Sequence, residues 1–346
     1  MLERLQEQVR AATAARTPLV IRAGGSKDFY GNASRGERLD PRGYAGVVAH
    51  EPTELVITAH CGTRLAELEA VLDAAGQMLP FEPPHFGADA TVGGCVAAGL
   101  AGPRRSSAGG VRDYVLGVKL LIGRGDVLAF GGTVMKNVAG YDVARLAAGS
   151  LGVLGVITEV SLKVLPKPVA EATLRLELDE AAALKRMNEW AGQPLPVSAT
   201  AWRDGVLHVR LSGARAAVAD AQKKIGGQAI DGAALWHGLR EQTDAFFAAE
   251  APLWRLALPS TAPALGLPGA QLIEWGAAQR WLRGDTATEQ IRARAAACGG
   301  HATLFRGGER RNVFTPLPLP VAAIHNRLKA EFDPAGIFNP GRMYDW

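Results

Sequence analysis

The segment Gly131-Gly132-Thr133-Val134-Met135-Lys136-Asn137-Val138-Ala139-Gly140-Tyr141-Asp142, followed by Gly149-Ser150-Leu151-Gly152-Val153-Leu154-Gly155-Val156-Ile157-Thr158-Glu159, constrains this chain more than any other. Glycine costs backbone entropy, so such a density needs turns with positive φ or a close approach of the main chain to something else. Small residues surround a polar Lys136-Asn137 pair and a Tyr141-Asp142 pair, and a turn with glycines spaced by three then enters a β-branched run. A second cluster, Gly24-Gly25, follows the strand-like Pro18–Arg22. Two such clusters point to a large bound cofactor rather than to a packed core alone.

At 346 residues the chain can bury a sizeable core and is long enough for two domains. Its 38 Lys and Arg against 34 Asp and Glu leave a mild net charge of +4, with no basic block of the kind that grips nucleic acid. That sign suits small acidic substrates or an acidic partner. Cys61, Cys95 and Cys298 are few, odd in number and far apart. They encode neither a disulfide frame nor a metal or iron–sulfur spacing, and fit a reducing, cytoplasmic compartment. The N-terminus is an amphipathic helix start with Leu2, Leu5 and Val9 on one stripe, too charged for a secretory signal. No uninterrupted apolar run reaches transmembrane length, because Arg145 breaks the best candidate; membrane association is expected only peripherally, through partners.

Periodicity and breakers give an α+β organisation. Residues 1–16 read as a helix and 18–22, 46–50 and 54–59 as strands. Thr63 is the expected N-cap of a helix to about Ala75, with Leu65, Leu68, Val71 and Leu72 on its inner face. Residues 115–122 and 127–130 flank a Gly123-Arg124-Gly125-Asp126 turn as a hairpin, 142–148 is helical, and 155–165 is a strand closed by Pro166 and Pro168. That Pro-Lys-Pro marks the expected domain boundary, giving 1–168, then 169–318, then a C-terminal segment 319–346. The second domain reads as an antiparallel sheet backed by helices, with strands at 173–178, 198–202, 206–211, 254–258, 271–275 and 302–305. Helices are expected at 181–190, 214–225 and 288–297. Asp204-Gly205 is a strong hairpin-turn signal. A helix over 320–332 precedes the Pro- and Gly-rich end of the chain.

Three clusters carry candidate chemistry. In Ala23-Gly24-Gly25-Ser26-Lys27, successive backbone N–H groups can form a concavity for phosphate oxygens; the plainer reading is a tight turn with positive φ at the glycines. Thr91-Val92-Gly93-Gly94 opens a helix of nearly bare residues running to Gly99. Exposed N–H groups there suit a pyrophosphate, while close helix-on-sheet packing favours the same residues. Gly109-Gly110-Val111-Arg112-Asp113 joins a Gly turn to a strand, with an ordinary loop as the alternative. No G-x-G-x-x-G follows the first strand and no P-loop is present, which argues against a nicotinamide dehydrogenase.

In this order the clusters resemble the FAD-binding domain of the vanillyl-alcohol oxidase / p-cresol methylhydroxylase (PCMH-type) superfamily, and within it the GlcE family of glycolate oxidase subunits. The most specific parts are Lys136–Asp142 with Gly149–Thr158, and the ending Phe332-Asp333-Pro334-Ala335-Gly336-Ile337-Phe338-Asn339-Pro340-Gly341-Arg342. The resemblance implies a two-lobed flavin domain, a cap domain, and a tail that packs back on the flavin domain. It implies that Ala23 to Lys27 wrap the pyrophosphate and that Thr91, Val92, Gly93 and Gly94 add donors. Gly99, Arg112 and Asp113 belong to the same expected site, Gly152, Gly155 and Ile157 would line the adenosine side, and Asn339 closes the tail. Some relatives bond the flavin through a histidine where Ser26 and Lys27 stand, so noncovalent FAD is expected.

The substrate side is poorer. Oxidation of a 2-hydroxy acid needs a cation for the carboxylate and a base for the hydroxyl proton. The His-rich segment of the catalytic sister family is absent; Gly299-Gly300-His301 keeps one histidine, and a lone histidine is usually structural. Arg280, Arg306 and His301 are weak catalytic candidates, with no metal site. The resemblance therefore implies an FAD-binding subunit of a glycolate-oxidising complex, with GlcD as its catalytic flavin partner and GlcF as its iron–sulfur partner. The alternatives are an assembly or electron-relay subunit, and a stand-alone flavin enzyme for another hydroxy acid such as D-lactate.

Overall fold

The computed structural model describes residues 1–133 and 142–345. The Lys136-Asn137-Val138-Ala139-Gly140-Tyr141 part of the glycine-rich motif lies outside them. Among the described residues the strands before Lys167 pair only with one another. They are β1 (Leu19–Ile21), β2 (Glu37–Leu39), β3 (Val47–Glu51), β4 (Val56–His60), β5 (Gln77–Met78), β6 (Val115–Leu121), β7 (Val127–Gly131), β8 (Val156–Lys163) and β9 (Leu165–Pro166). β1 and β2 form a small parallel sheet, β5 and β9 a second pair, and the rest an antiparallel sheet in the order β3-β4-β8-β6-β7.

Helices α1 (Leu2–Ala15), α2 (Leu65–Ala74), α3 (Val92–Ala98), α4 (Arg105–Ala108), α5 (Val111–Tyr114) and α6 (Val143–Leu146) belong to this first lobe. The α1 stripe buries Leu5, Val9 and Ala12 against Leu19, Leu39, Leu121 and Val156. The inner face of α2 is Leu65, Leu68 and Leu72; Val71, expected beside them, is 37% exposed. Thr63 does not cap α2 either. Its hydroxyl accepts from the Gly46 amide at 2.9 Å and donates to the His60 carbonyl at 2.8 Å, tying the strand ends instead.

The second lobe carries β10 (Ala170–Glu177), β11 (Val197–Arg203), β12 (Val206–Gly213), β13 (Gln228–Ile230), β14 (Leu253–Ala257), β15 (Ala270–Glu274), β16 (Gln279–Arg283) and β17 (His301–Arg306). They form one antiparallel sheet in the order β13-β10-β12-β11-β15-β16-β14-β17. The Asp204-Gly205 turn has positive φ at both residues, 49° and 79°, as a type I′ hairpin requires. Helices α7 (Glu180–Ala191), α8 (Arg215–Ile225), α9 (Ala233–Glu241) and α10 (Thr288–Ala297) accompany this sheet. The chain ends with α11 (Leu319–Phe332) and returns to the first lobe, where Leu19 bridges Phe338 in parallel.

The return is held by a buried lock. Lys329 on α11 donates to Asp333 Oδ2 at 2.6 Å, to the Val153 carbonyl at 2.7 Å and to the Phe338 carbonyl at 2.8 Å. Asp333 accepts in turn from the Ile337 and Phe338 amides. Every polar atom of this buried pair thereby gains a partner, the condition under which burying charge is tolerated.

Candidate functional site

The site begins where β1 stops. The Ile21 amide donates to Asn339 Oδ1 at 2.8 Å and the Arg22 amide to the Leu39 carbonyl at 3.0 Å. Beyond them no main-chain amide from Ala23 to Lys27 has an acceptor among the described residues; pairing resumes at Asp28, bonded to the Gly25 carbonyl. These residues line a cleft of about 120 Å³ with Arg22, Asp28, Ser34, Thr91, Gly94, Ala97, Ala98, Leu151, Asn339 and Arg342. A run of free, partly exposed N–H groups on a concave wall can serve as an anion cradle.

Both glycines are forced there. Gly25 has φ +74°, and a Cβ on Gly24 would lie 1.6 Å from the Asp89 carbonyl oxygen. The tight-turn reading and the cradle reading thus describe one loop.

α3 forms the opposite wall, but not as expected. Thr91 caps it by accepting from the Gly94 amide at 3.2 Å. The Val92 amide is bonded to the Thr63 carbonyl, the Gly93 amide to the Cys61 carbonyl, both at 2.9 Å, and Cys95 to Thr91. The amides of Val92, Gly93 and Gly94 are therefore already bonded, which corrects the expectation that these three supply N–H groups to phosphates; the Thr91 amide alone has no acceptor among the described residues. Gly93 is needed for packing: its Cβ would stand 2.6 Å from that of Cys61. Thr91 and Gly94 face the cleft; Val92 and Gly93 face the core.

Two cations shape the cleft. Lys27 Nζ donates to the His85 carbonyl at 3.1 Å and to Ser26 Oγ at 3.4 Å, and lies 5.5 Å from the Phe86 ring centre. Burial pushes its pKa down, with Cys95 and Glu241 opposing. The same burial raises the Cys95 thiol to about 12, so it stays neutral beside Lys27. Glu241 at the end of α9 fixes this wall by accepting from the His85 and Phe86 amides at 3.0 and 2.9 Å. Arg342, not singled out in the sequence, donates to the Lys27, Asp28 and Asn32 carbonyls and so holds the loop; burial and neighbouring Arg310 bring it down to about 10. Its signal was its place at the end of the Asn339-Pro340-Gly341-Arg342 run.

Other expected site residues fall elsewhere. Gly99 is the left-handed C-cap of α3 and abuts Gly149. Gly152 lies against Asn339, whose amide donates to the Leu151 carbonyl at 2.6 Å. Gly155 backs onto the Leu121 carbonyl and Ile157 is in the core. Arg112 is exposed, and Asp113 accepts from the Gly110 amide as the cap of α5, so the third cluster is a local turn.

The catalytic candidates separate. Arg280 is wholly buried on β16, donating to the Ala262, Pro263 and Ala277 carbonyls, so its guanidinium is used to hold a turn. His301 is exposed at the start of β17. Arg306 alone reaches the lobe junction, its guanidinium 4.2 Å from the Phe29 ring centre and 5.1 Å from that of Phe86.

Behind Phe86 the lobes meet in an aromatic cluster of Phe29, Tyr30, Phe305 and Trp281, which leaves a chamber of about 20 Å³ beside Glu274, Gln242, Arg240 and Arg255. A roomier cavity, about 400 Å³, opens at the lobe seam beside Arg210 and Trp236. Its carboxylates and Arg210 are already paired: Arg210 Nη2 donates to Glu82 Oε2 at 2.9 Å and Arg104 Nη2 to Glu171 Oε1 at 3.0 Å. Burial pushes the Glu82 carboxyl up, but Arg210 and Arg104 more than reverse this and hold it below the usual range. The longer run of unbonded amides, Ala23 to Lys27, lies on the smaller cleft, which is therefore the candidate for an anionic cofactor. Among the described residues no group of His, Cys, Asp or Glu could hold a metal, and no helix is long and apolar enough to cross a membrane.

The sequence from 2 to 145 matches the FAD binding domain family. The chain is 51% identical over 340 residues to glycolate oxidase subunit GlcE of Escherichia coli (strain K12), covering 98% of this chain and 96% of that one. It is 35% identical over 120 residues to glycolate oxidase subunit GlcD of Bacillus subtilis (strain 168), 35% of this chain and 25% of that one. In fold it resembles a solved alkyldihydroxyacetonephosphate synthase, with TM-score 0.68, 16% identity, and coverage of 98% of this chain and 75% of the other.

Proposed function

Since the chain belongs to the glycolate oxidase subunit GlcE family, we propose that it is the FAD-binding subunit of a complex oxidising glycolate, or a related 2-hydroxy acid, to the 2-oxo acid. The observation that carries the reading is the row of unbonded amides from Ala23 to Lys27, which offers a dinucleotide diphosphate the donors its oxygens require. The cofactor is held noncovalently, as no histidine stands at Ser26 or Lys27. When bound, the flavin supplies an acceptor for the hydride of the hydroxyl-bearing carbon and passes the electrons on. The chain's own residues do the holding. Gly24 and Gly25 let the loop approach the diphosphate, Arg342 fixes the loop from beneath, and Asn339 ties the tail to the end of β1.

A catalytic flavin protein of the GlcD kind and an iron–sulfur protein, GlcF, are the proposed partners, in a cytoplasmic complex reaching a membrane only through them. Residues 1–168 would be the flavin domain, 169–318 the cap and 319–346 the returning tail. A second reading, electron relay or assembly without substrate turnover, draws support from the junction itself. About 20 Å³ holds roughly one water and not a two-carbon acid.

Purified protein should carry a flavin spectrum that mild denaturation releases; a folded, colourless chain that takes up no added FAD refutes the proposal. Glycolate oxidation with an artificial acceptor by the isolated chain would exclude the relay reading, and activity only with partners would exclude an independent enzyme.

A further inference from the structure

Two buried glutamates near the lobe seam are treated in opposite ways. Glu82 is held ionised by two arginines. Glu274, at the end of β15 and 3% exposed, has no cation paired with it among the described residues. Its two hydrogen bonds, from Trp281 Nε1 at 2.6 Å and Gln279 Nε2 at 3.2 Å, both fall on Oε2, and Oε1 accepts none. A carboxyl placed only to hold β15 to β16 would be served as well by an amide. The nearby arginines are engaged elsewhere: Arg255 on β14 donates to the Tyr30 hydroxyl at 3.0 Å. Arg240 Nε on α9 lies 2.8 Å from Glu241 Oε1 without hydrogen-bond alignment.

Glu274 opens on the small chamber, which is lined as well by Arg240 and Gln242. Arg240 Nε and Gln242 Oε1 are both buried without a hydrogen-bond partner, so three polar side chains meet there incompletely satisfied. Such a concentration marks a place where protons or small polar molecules are exchanged, since a core tolerates few such atoms. The chamber is also one side-chain layer from the cofactor cleft: Phe86 lines it, and the Phe86 ring lies against Lys27 of the cleft.

We propose that Glu274 is a proton-exchanging residue of the lobe junction, binding and releasing a proton at Oε1 by way of the chamber in step with the charge of the flavin in the adjoining cleft. The inference rests on the FAD reading above. In the step, the Oε1–H bond breaks and the proton forms a bond to a water molecule entering the chamber, leaving a carboxylate; no bond to carbon changes at Glu274. Negative charge that a bound flavin would gain on reduction would favour the protonated carboxyl and so drive the reverse uptake of a proton. Burial, with Glu82 and Asp244 as the nearby carboxylates, places its titration at about 7, where such coupling is effective; the hydrogen bonds from Trp281 and Gln279 pull the other way.

Two measurements on the full-length chain test this. Infrared difference spectra between pH 5 and 9 should show one protonated carboxyl lost with a midpoint near neutrality, absent in E274Q and moved to higher pH in W281F, which removes the strongest donor to the carboxylate. With FAD bound, the midpoint potential plotted against pH should bend in the same range, and E274Q should straighten it. Identical infrared titrations of wild type and E274Q, or superimposable potential curves, overturn the proposal. If the chain takes up no FAD, the cofactor reading fails, and the infrared titration alone decides whether Glu274 exchanges a proton near neutrality.

Discussion

Replacing Lys329 by Met tests whether the tail lock carries the cofactor cleft. The lysine and Asp333 side chains are 7% and 0% exposed. K329M keeps the apolar stem but leaves the Asp333 carboxylate buried without its cation. Removing one partner of a buried pair costs about 3–5 kcal/mol. Against a typical domain stability of about 5–15 kcal/mol, that is roughly a fifth or more of the total. The Val153 and Phe338 carbonyls lose their donor in the same step. Because Asn339 follows Phe338 directly and accepts from Ile21, the loosened tail should open the cleft before the whole chain unfolds. Urea unfolding followed by circular dichroism measures the first effect and retention of FAD on gel filtration the second. The double variant K329M/D333N removes the stranded charge and should recover at least half of the loss, giving a clear coupling energy. A K329M cost under about 1 kcal/mol, or a double variant no better than the single, would refute the lock as argued.

G24A should abolish FAD retention, since its Cβ would meet the Asp89 carbonyl at 1.6 Å, whereas G192A, away from the cleft and with its Cβ 3.7 Å from the Glu189 carbonyl, should retain it; titration of apoprotein with FAD separates them. R210M should destabilise by about 3 kcal/mol at neutral pH by stranding Glu82 with Arg104 alone, and the deficit should shrink only as pH falls below 4.5, where Glu82 is protonated; urea midpoints at about pH 3.5 and 7.5 check both. Raising the Glu274 carboxyl from 4.5 to about 7 corresponds to about 3 kcal/mol of stability, fully present below pH 4.5 and lost as pH rises through 7. E274Q should therefore gain on wild type between pH 5 and 8.5 in thermal unfolding, and a constant difference across that range would contradict it.

Much of the architecture was legible because local periodicity and turn chemistry are decided within a few residues. The α1 stripe, the hairpins at 115–131 and 197–213, and the helix before the tail all follow from such signals. β16 was missed because Gln279-Arg280-Trp281-Leu282-Arg283 has no alternation, yet every residue in it is buried. The arginines are admitted there because main-chain carbonyls distant in sequence, at Ala262 and Pro263 for Arg280 and at Phe246 and Phe247 for Arg283, accept from them. The same lack of long-range partners hid the true role of Thr63.

By itself, the sequence determined that glycine-rich loops meet a two-part α+β scaffold and that the chain belongs with flavin-binding relatives, because glycine spacing and breakers act on the local backbone. Only the tertiary structure decided which glycines serve the cleft and which serve packing. Gly24 and Gly93 look alike in sequence, but one faces the Asp89 carbonyl beside free amides and the other is pressed on Cys61 with its amide already bonded. Likewise Glu82 and Glu274 are ordinary glutamates until folding surrounds one with arginines and the other with Trp281 and Gln279. A side chain's charge and an amide's availability depend on what distant segments bring beside them, and that is settled only when the lobes close.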